Sequence, residues 1–251
     1  MSTQDPKTMD SLAAQQPSID FVCEIAEEDT MRVGESDESY YQWGLSALGY
    51  IQMVLELANA RQPQRILDLP CGHGRVLRML AASFSGSTVT ACDLDRNAVD
   101  YCARTFGAKP LYSVEDPYQL DVGDRFDLIW CGSLVTHLNA DRWHAFLQLF
   151  ERILAPRGVL VFTTHGRFFY REIRQGRLQF NVRDTNTLLS DYETAGFGFQ
   201  PQLHNDRYGI SLSTPAWVCN QVGQHRGLRL VAYTERGWRG WQDAVACLRE
   251  E

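Results

Sequence analysis

The segment Arg65-Ile-Leu-Asp-Leu-Pro-Cys-Gly-His-Gly-Arg-Val-Leu-Arg78 decides the fold. A short apolar run ends in Asp68, a turn with Gly72 and Gly74 follows, and a helical apolar pattern then begins. This order predicts a strand over residues 65–68, a tight turn, and a helix over residues 76–84. Glycine in such a turn permits unusual backbone angles and a close approach of the backbone to a ligand.

Strand and helix patterns alternate after this segment. Strands are predicted over 87–93, 110–113, 126–131 and 159–163, and helices over 96–106 and 142–154, the latter ended by Ala155–Gly158. Such alternation indicates parallel strands joined by crossover helices. Before the segment, residues 39–60 have helical apolar spacing and residues 1–18 are predicted to be a loose tail.

The chain beyond residue 165 has a different character. Residues 166–213 are predicted to form a long, less regular stretch. A helix is predicted to begin near Pro215 and to end near Gly227. Strands over 228–234 and 243–248 are joined by the short loop GWRGW and are therefore antiparallel. We expect four parts: a tail and helical cap (1–60), a cofactor-binding core (61–165), a substrate-covering insertion (166–213), and a helix with a hairpin that completes the sheet (214–251).

Asp93 ends the strand that follows the glycine turn. A carboxylate in that position can accept hydrogen bonds from the ribose hydroxyls of a nucleoside cofactor. A dinucleotide site requires G-x-G-x-x-G, but Leu77 stands where the third glycine would be, which disfavours a nicotinamide oxidoreductase. A positively charged cofactor suits the nearby carboxylate of Asp68 better than a pyrophosphate does.

In these motifs the chain resembles the class I S-adenosylmethionine-dependent methyltransferases. The resemblance rests on DLPCGHG (68–74), CDLD (92–95), FDLIWC (126–131) and LAPRGVLVF (154–162). It implies a Rossmann-like α/β fold, with a seven-stranded, mostly parallel sheet, one antiparallel terminal strand and helices on both faces. The family usually has glycine at the position of Pro70, so we expect a variant turn that still binds the cofactor.

The resemblance implies a role for each matching position, with S-adenosyl-L-methionine as cofactor and S-adenosyl-L-homocysteine as product. Asp68, Gly72 and Gly74 would surround the methionine part, in a loop that also contributes Pro70 and Cys71. Asp93 would hold the ribose and Leu94 would contact the adenine. Either Glu115 or Asp116 would reach the adenine amino group. The residues that would line the sulfonium pocket are Cys131, Gly132 and Ser133.

Two histidines follow predicted strands at the sheet edge where α/β ligand sites form. His137 and His165 are therefore candidate general bases, because histidine titrates near neutral pH. The competing interpretations are a packing histidine at position 137 and a loop histidine bonded to the backbone at position 165. The sequence contains no metal-binding motif, and no metal is expected.

Aromatic residues outside the core are candidates for the wall of a substrate pocket. Tyr40 and Tyr41 lie in the N-terminal part, Tyr208 lies in a glycine-flanked turn, and Trp217 lies at the start of the late helix. Ordinary packing in the core or under a lid is the alternative interpretation for each of them.

Composition narrows the classes of function. The chain has 251 residues, 44 % of them apolar, and a formal charge of −7. An acidic chain without a basic run disfavours a nucleic-acid partner, and no apolar run is long enough to predict a membrane span. We expect a cytoplasmic enzyme, and a homodimer is left open. The predicted function is O-methylation of a small molecule, such as a sugar or natural-product intermediate, with N-methylation or a non-catalytic cofactor-binding scaffold as alternatives.

Overall fold

A computed structural model describes residues 19–250, so the predicted tail over 1–18 lies outside the described residues. A seven-stranded sheet forms the centre, and a separate two-stranded sheet lies in the C-terminal half. In chain order the strands are β1 Arg65–Asp68, β2 Thr88–Asp93, β3 Lys109–Tyr112, β4 Phe126–Cys131, β5 Leu154–Thr164, β6 Phe197–Gln202, β7 Asn205–Ser213, β8 Leu228–Trp238 and β9 Gln242–Arg249. The helices are α1 Asp37–Leu57, α2 Leu77–Ser83, α3 Arg96–Phe106, α4 Ala140–Ile153, α5 Arg167–Arg174, α6 Thr185–Ala195 and α7 Pro215–Gly223.

The strand order of the large sheet is β3-β2-β1-β4-β5-β9-β8. Strands β1 to β5 pair in parallel, and β9 runs antiparallel to both of its neighbours, β5 and β8. The predicted fold class, a mostly parallel seven-stranded sheet with one reversed strand, is confirmed. The reversed strand is the last one in the chain, but it lies inside the sheet because β8 occupies the edge.

Both faces of the sheet are covered. Successive strand residues point to opposite faces, so Ile66 packs with α1, α2 and α3 while Leu67 packs with α4 and α7. The predicted helices and strands of the core agree with the observed ones within one to three residues. The exception is the segment 154–158, which was expected to end a helix in a turn. It belongs to β5, because α4 already stops at Ile153 and Arg157 takes a positive φ of 60° inside the strand.

The insertion over 166–213 is regular, and the prediction of a less regular stretch was wrong. Helices α5 and α6 pack on the antiparallel hairpin β6–β7. The reason is a small apolar core of its own, to which α5, α6 and β7 contribute two buried residues each: Phe169, Ile173, Leu188, Tyr192, Ile210 and Leu212. The hairpin is attached to the segments that follow β4 and β5 by the hydrogen bonds from Ser211 Oγ to the Val135 carbonyl and from the Ser213 amide to the His165 carbonyl, each 2.9 Å long.

Candidate active site

The loop after β1 is a tight turn with two glycines in left-handed backbone conformations. Gly72 has φ +48° and Gly74 has φ +83°. A Cβ at Gly74 would lie 2.5 Å from the ring of Phe106, so a side chain is excluded there by α3. The Leu69–Pro70 peptide bond is cis. The absence of a side chain at Gly74 lets the loop pack closely against α3, and the opposite side of the loop faces the inner cavity.

Asp93 joins this loop to the end of β2. Its Oδ2 accepts a hydrogen bond from the Gly72 amide at 2.9 Å, and its Oδ1 accepts one from the Asp95 amide at 3.0 Å. Asp95 in turn caps α3 through the amides of Asn97 and Ala98. The carboxylate of Asp93 is thus held at a fixed position on the edge of the sheet, with lone pairs left for a ligand.

Asp68 lies at the end of β1 and is only 1 % exposed. Neither of its carboxyl oxygens has a hydrogen-bond partner among the described residues. Burial, and secondly the negative charge of Asp93, raise the pKa of Asp68 well above its usual value. A buried carboxyl group without a partner is costly unless a ligand supplies a donor or a positive charge.

Two cavities meet at this edge of the sheet. The inner cavity, of about 360 Å³, lies beside the glycine loop, and the outer cavity, of about 490 Å³, extends from Leu94 towards α4. Four residues line both: Pro70, Asp93, Ser133 and Tyr208. Residues lining only the inner cavity include Asp68, Cys71, Gly72, Arg75, Gly132 and His137, and those lining only the outer one include Leu94, Ser113, Val114, Glu115, Leu134, Leu138 and Phe146.

Ser133 is held at the junction by a network of polar side chains. It has a positive φ of 56°, which is unusual for a residue other than glycine. Its amide donates to Thr163 Oγ1 at 2.9 Å, and its hydroxyl accepts from Gln242 Nε2 at 2.7 Å. Thr163 Oγ1 also donates to Gln242 Oε1 at 2.6 Å, which fixes the orientation of the amide. Strands β5 and β9 thereby determine the shape of the loop after β4.

His137 is half-buried on the wall of the inner cavity. Its Nδ1 lies 2.8 Å from the Gly209 carbonyl oxygen, and its ring stacks on Tyr208 with centroids 4.4 Å apart. Since a carbonyl oxygen only accepts, Nδ1 carries the proton and Nε2 keeps its lone pair. Nε2 has no hydrogen-bond partner within residues 19–250. Burial lowers the pKa of His137, and the Gly209 contact opposes this shift.

His165 lies outside both cavities. It is 4 % exposed, its ring stacks on Phe169 at 3.8 Å, and burial drives its pKa well below the usual value. Helix α5 of the insertion covers it, and a substrate in the cavities would not reach it. Of the two histidines predicted as general bases, the structure places His137 on a cavity wall and His165 beneath α5.

Three of the four aromatic residues predicted to contact substrate are packed elsewhere. Tyr40 is fully buried and donates to Asp29 Oδ2 at 2.6 Å, while Tyr41 donates to the Cys23 carbonyl at 2.5 Å. Trp217 lies flat on Phe197, with centroids 4.1 Å apart. Neither cavity is lined by these three side chains. Tyr208 does line both cavities, because β7 carries it across their junction.

Most residues predicted to bind the cofactor line one or both cavities. Glu115 lines the outer cavity, whereas Asp116 caps a short 3-10 turn through the Tyr118 amide. Cys131 is fully buried in the core below β4, and Gly74 acts through its backbone conformation. These last two, like Asp116, do not reach either cavity.

Sequence reasoning missed several residues of the inner cavity. Arg75 directly follows Gly74, and this position in the glycine loop could have predicted that it lines the cavity. The segment Glu28–Met31 and Trp238 also line the cavity. Their position depends on long-range packing, since Arg78 binds the carbonyl oxygens of Val22 and Glu24, and no local motif indicates it.

The described part of the chain lacks two features that would point to other functions. No group of three or more His, Cys, Asp or Glu side chains within it is placed to hold a metal ion. None of its helices combines the length and the apolar character that crossing a bilayer requires.

Sequence and structure comparisons agree on one class of protein. Residues 66–158 match the family model described as a methyltransferase domain. The crystal structure of an S-adenosylmethionine-dependent methyltransferase from Clostridium acetobutylicum superposes with a TM-score of 0.59 at 16 % identity, covering 89 % of this chain and 96 % of that one. The fold is that of the class I methyltransferases, and the match to the methyltransferase domain model covers residues 66–158. The resemblance seen in the sequence is thereby confirmed.

Among curated proteins, similarity extends to two O-methyltransferases. A malonyl-[acyl-carrier protein] O-methyltransferase of Methylovorus is 29 % identical over 192 residues, which cover 66 % of this chain and 64 % of that protein. A fatty-acid O-methyltransferase of Mycolicibacterium smegmatis is 31 % identical over 102 residues, covering 40 % of this chain and 36 % of that protein. Each match spans less than two thirds of the relative's own length.

Proposed function

We propose that the chain is a methyltransferase that uses S-adenosylmethionine and methylates a small molecule. The observation that carries this proposal is the continuity of the two cavities along the ends of the parallel strands, with Asp93 at their junction. This edge of a parallel sheet is where α/β folds bind nucleosides. The orphaned carboxyl group of Asp68 fits a cofactor that brings a positive charge into the inner cavity.

In this proposal the methionine part of the cofactor lies in the inner cavity and the adenosine part in the outer one. Asp93 accepts from the ribose hydroxyls, Leu94 and Val114 contact the adenine, and Glu115 faces the adenine amino group. The outer cavity supports this arrangement because it offers both apolar side chains, such as Leu94 and Val114, and polar ones, such as Asp93 and Glu115. Ser133 lines the junction, close to where the sulfur of the cofactor would lie.

The bound cofactor supplies an electrophilic methyl group for in-line transfer to a nucleophile. The chain contributes mainly by holding the reacting atoms in line, which can account for much of the rate enhancement. For a hydroxyl acceptor, we propose His137 as the general base, with its free Nε2 directed to the acceptor proton and Nδ1 held by Gly209. The low pKa of His137 keeps it neutral, and thus able to accept a proton, at neutral pH.

An O-methylation agrees with the names of the two curated relatives. The alternative is N-methylation, which the carboxylates of Glu28 and Asp95 on the wall of the inner cavity favour, because they would attract a protonated amine. The insertion, through Tyr208, is proposed to cover the acceptor. A homodimer and a cytoplasmic location remain predictions.

Calorimetry and a transfer assay test the proposal. S-adenosylhomocysteine should bind, NAD should not, and label from methyl-labelled S-adenosylmethionine should pass to a member of a panel of carboxylic acids, sugars and amines. Binding without transfer across the panel would favour the non-catalytic scaffold. Absence of binding to S-adenosylhomocysteine together with binding to NAD would overturn the proposal.

A further inference from the structure

Part of the wall of the outer cavity comes from the insertion. Asn205, Arg207 and Tyr208, all on β7, line this cavity. They belong to the outer half of β7, residues 205–208, whose four residues are all exposed, whereas residues 209–213 of the same strand are buried. The outer cavity is therefore covered by the end of a strand that the apolar core of the insertion does not hold.

The two halves of β7 are attached to the rest of the chain to different extents. The buried half is tied at its first residue, where the Gly209 carbonyl oxygen lies 2.8 Å from His137 Nδ1. Besides the stacking of Tyr208 on His137, one hydrogen bond within residues 19–250 joins the outer half to a residue outside the insertion. In it, Arg142 Nη1 donates to the Arg207 carbonyl oxygen at 3.3 Å. A segment with so few attachments can open locally while the remaining structure stays folded.

Arg142 connects this strand end to a second wall of the same cavity. It lies in the first turn of α4, where its amide donates to Asn139 Oδ1 at 3.0 Å, and its side chain lines the outer cavity. Its Nη2 donates to the carbonyl oxygen of Glu115, in the loop after β3, at 2.9 Å. Hydrogen bonds from a charged donor are stronger than those between neutral groups. One guanidinium thus joins the backbone of the insertion to the backbone of the core across the edge of the cavity.

We propose that Arg142 is a latch that holds the outer half of β7 over the outer cavity, and that a nucleoside enters or leaves this cavity only when the two bonds break. This inference rests on the proposed function, which places the adenosine part of the cofactor there. The latch bonds join protein to protein, so they stabilise the closed arrangement of the empty and of the filled cavity alike. Their removal should therefore speed entry and exit by the same factor and leave the equilibrium affinity nearly unchanged.

The other role open to Arg142 is a direct contact with the nucleoside, because its side chain lines the cavity. Such a contact would exist in the bound state alone. Its loss would speed exit, leave entry unchanged and weaken the affinity by the same factor as exit. The latch is favoured because both terminal nitrogens already donate to backbone carbonyl groups, one of them on the insertion.

Binding kinetics of S-adenosylhomocysteine, measured by surface plasmon resonance, test the inference on the wild type, Arg142→Gln, Arg142→Lys and the exposed control Arg104→Gln. In Arg142→Gln the association and dissociation rate constants should both rise about 10-fold or more, while Kd stays within about threefold of the wild-type value. Arg142→Lys should give intermediate rate constants, because an ammonium group lacks the planar fork that reaches two carbonyl groups at once. The control should behave as the wild type.

A second measurement needs no ligand. Trypsin should cleave after the exposed Arg207 about 10-fold faster in Arg142→Gln than in the wild type or the control, because the outer half of β7 opens more often. Equal cleavage in all three would overturn the latch, as would unchanged rate constants in Arg142→Gln. Faster dissociation with unchanged association would overturn it in favour of a direct contact. Failure of the proposed function is distinguishable, because the wild type would then not bind S-adenosylhomocysteine while the cleavage rates would still decide on the latch.

Discussion

The Nδ1 of His137 lies 2.8 Å from the carbonyl oxygen of Gly209. The first residue follows β4 of the large sheet, and the second lies on β7 of the insertion. Gly209 approaches its partner strand closely, since a Cβ there would lie 2.1 Å from the Gln200 carbonyl oxygen. The insertion therefore both covers the inner cavity and fixes the tautomer of the candidate base.

Replacing His137 should impair transfer more than cofactor binding. His137→Gln removes the Nε2 lone pair, and kcat for a hydroxyl acceptor is expected to fall about 10²- to 10⁴-fold, as for other general bases. The Kd for S-adenosylhomocysteine, measured by calorimetry, should change little. His204→Gln, on an exposed turn, is the control. If kcat is retained in His137→Gln, positioning alone carries the reaction or another base acts.

The rate should depend on pH through His137. Burial lowers its pKa below the usual value of 6.5, so the neutral, base-competent form prevails at pH 7. The kcat/KM should be flat near neutrality and fall on acidification, with an apparent pKa below 6.5. A profile from pH 4.5 to 8 measures this, and it should lose the acidic limb in His137→Gln. A midpoint above neutrality would contradict the assignment of the base.

Asp68 should make the ligand-free protein less stable as the pH rises. Its pKa is raised in the folded state, so the folded protein binds more protons than the unfolded chain above the ordinary carboxyl pKa. The stability it contributes is present at low pH and is lost as the pH increases through the folded-state pKa. Asp68→Asn should flatten the dependence of Tm on pH, with a gain on the order of 1–3 kcal/mol at the alkaline end.

The same variant should bind S-adenosylhomocysteine about 10- to 100-fold more weakly, because the ammonium group of this ligand loses its anionic partner. Asp191→Asn, exposed on α6, is the matched control for both measurements. Parallel Tm curves for wild type and Asp68→Asn would show that Asp68 is not the group that titrates.

The parts of the site encoded within a few neighbouring residues could be predicted from the sequence. Asp68, Gly72 and Asp93 lie in a strand–turn–helix pattern whose geometry depends on local spacing, and the structure places all three along the inner cavity. The mostly parallel sheet could also be predicted, because strand and helix patterns alternate along the sequence.

The parts that depend on distant packing could not be predicted. His137 and His165 both follow a strand. His137 lines the inner cavity, whereas α5 covers His165, and the two local sequences do not reveal this difference. Tyr40 is an aromatic residue of the kind that can line a substrate pocket. Its hydrogen bond to Asp29 and its contact with Arg78 place it in the core instead. The aromatic rings around the guanidinium of Arg75 come from α1 and the β8–β9 hairpin, which are remote in sequence.

Gly44 is the residue that allows α1 to lie against the glycine loop. A Cβ at this position would lie 2.4 Å from the Arg75 carbonyl oxygen and 2.8 Å from Met79 Cγ. The first of these is backbone and cannot move aside without shifting the loop. Gly44→Ala should therefore destabilise the protein by about 1–3 kcal/mol through overpacking. It should also weaken binding of S-adenosylhomocysteine, because the helix carries Trp43 and Tyr40 beside Arg75.

Gly49 on the same helix provides a matched control. A Cβ there meets nothing within 4 Å, so Gly49→Ala should raise stability by about 0.5–1 kcal/mol through its helix propensity. Denaturant unfolding of both variants measures the opposite signs, and calorimetry should show reduced affinity only in Gly44→Ala. If the two alanine variants gained stability equally, α1 would not be tightly packed on the loop, and the aromatic surroundings of Arg75 would need another explanation.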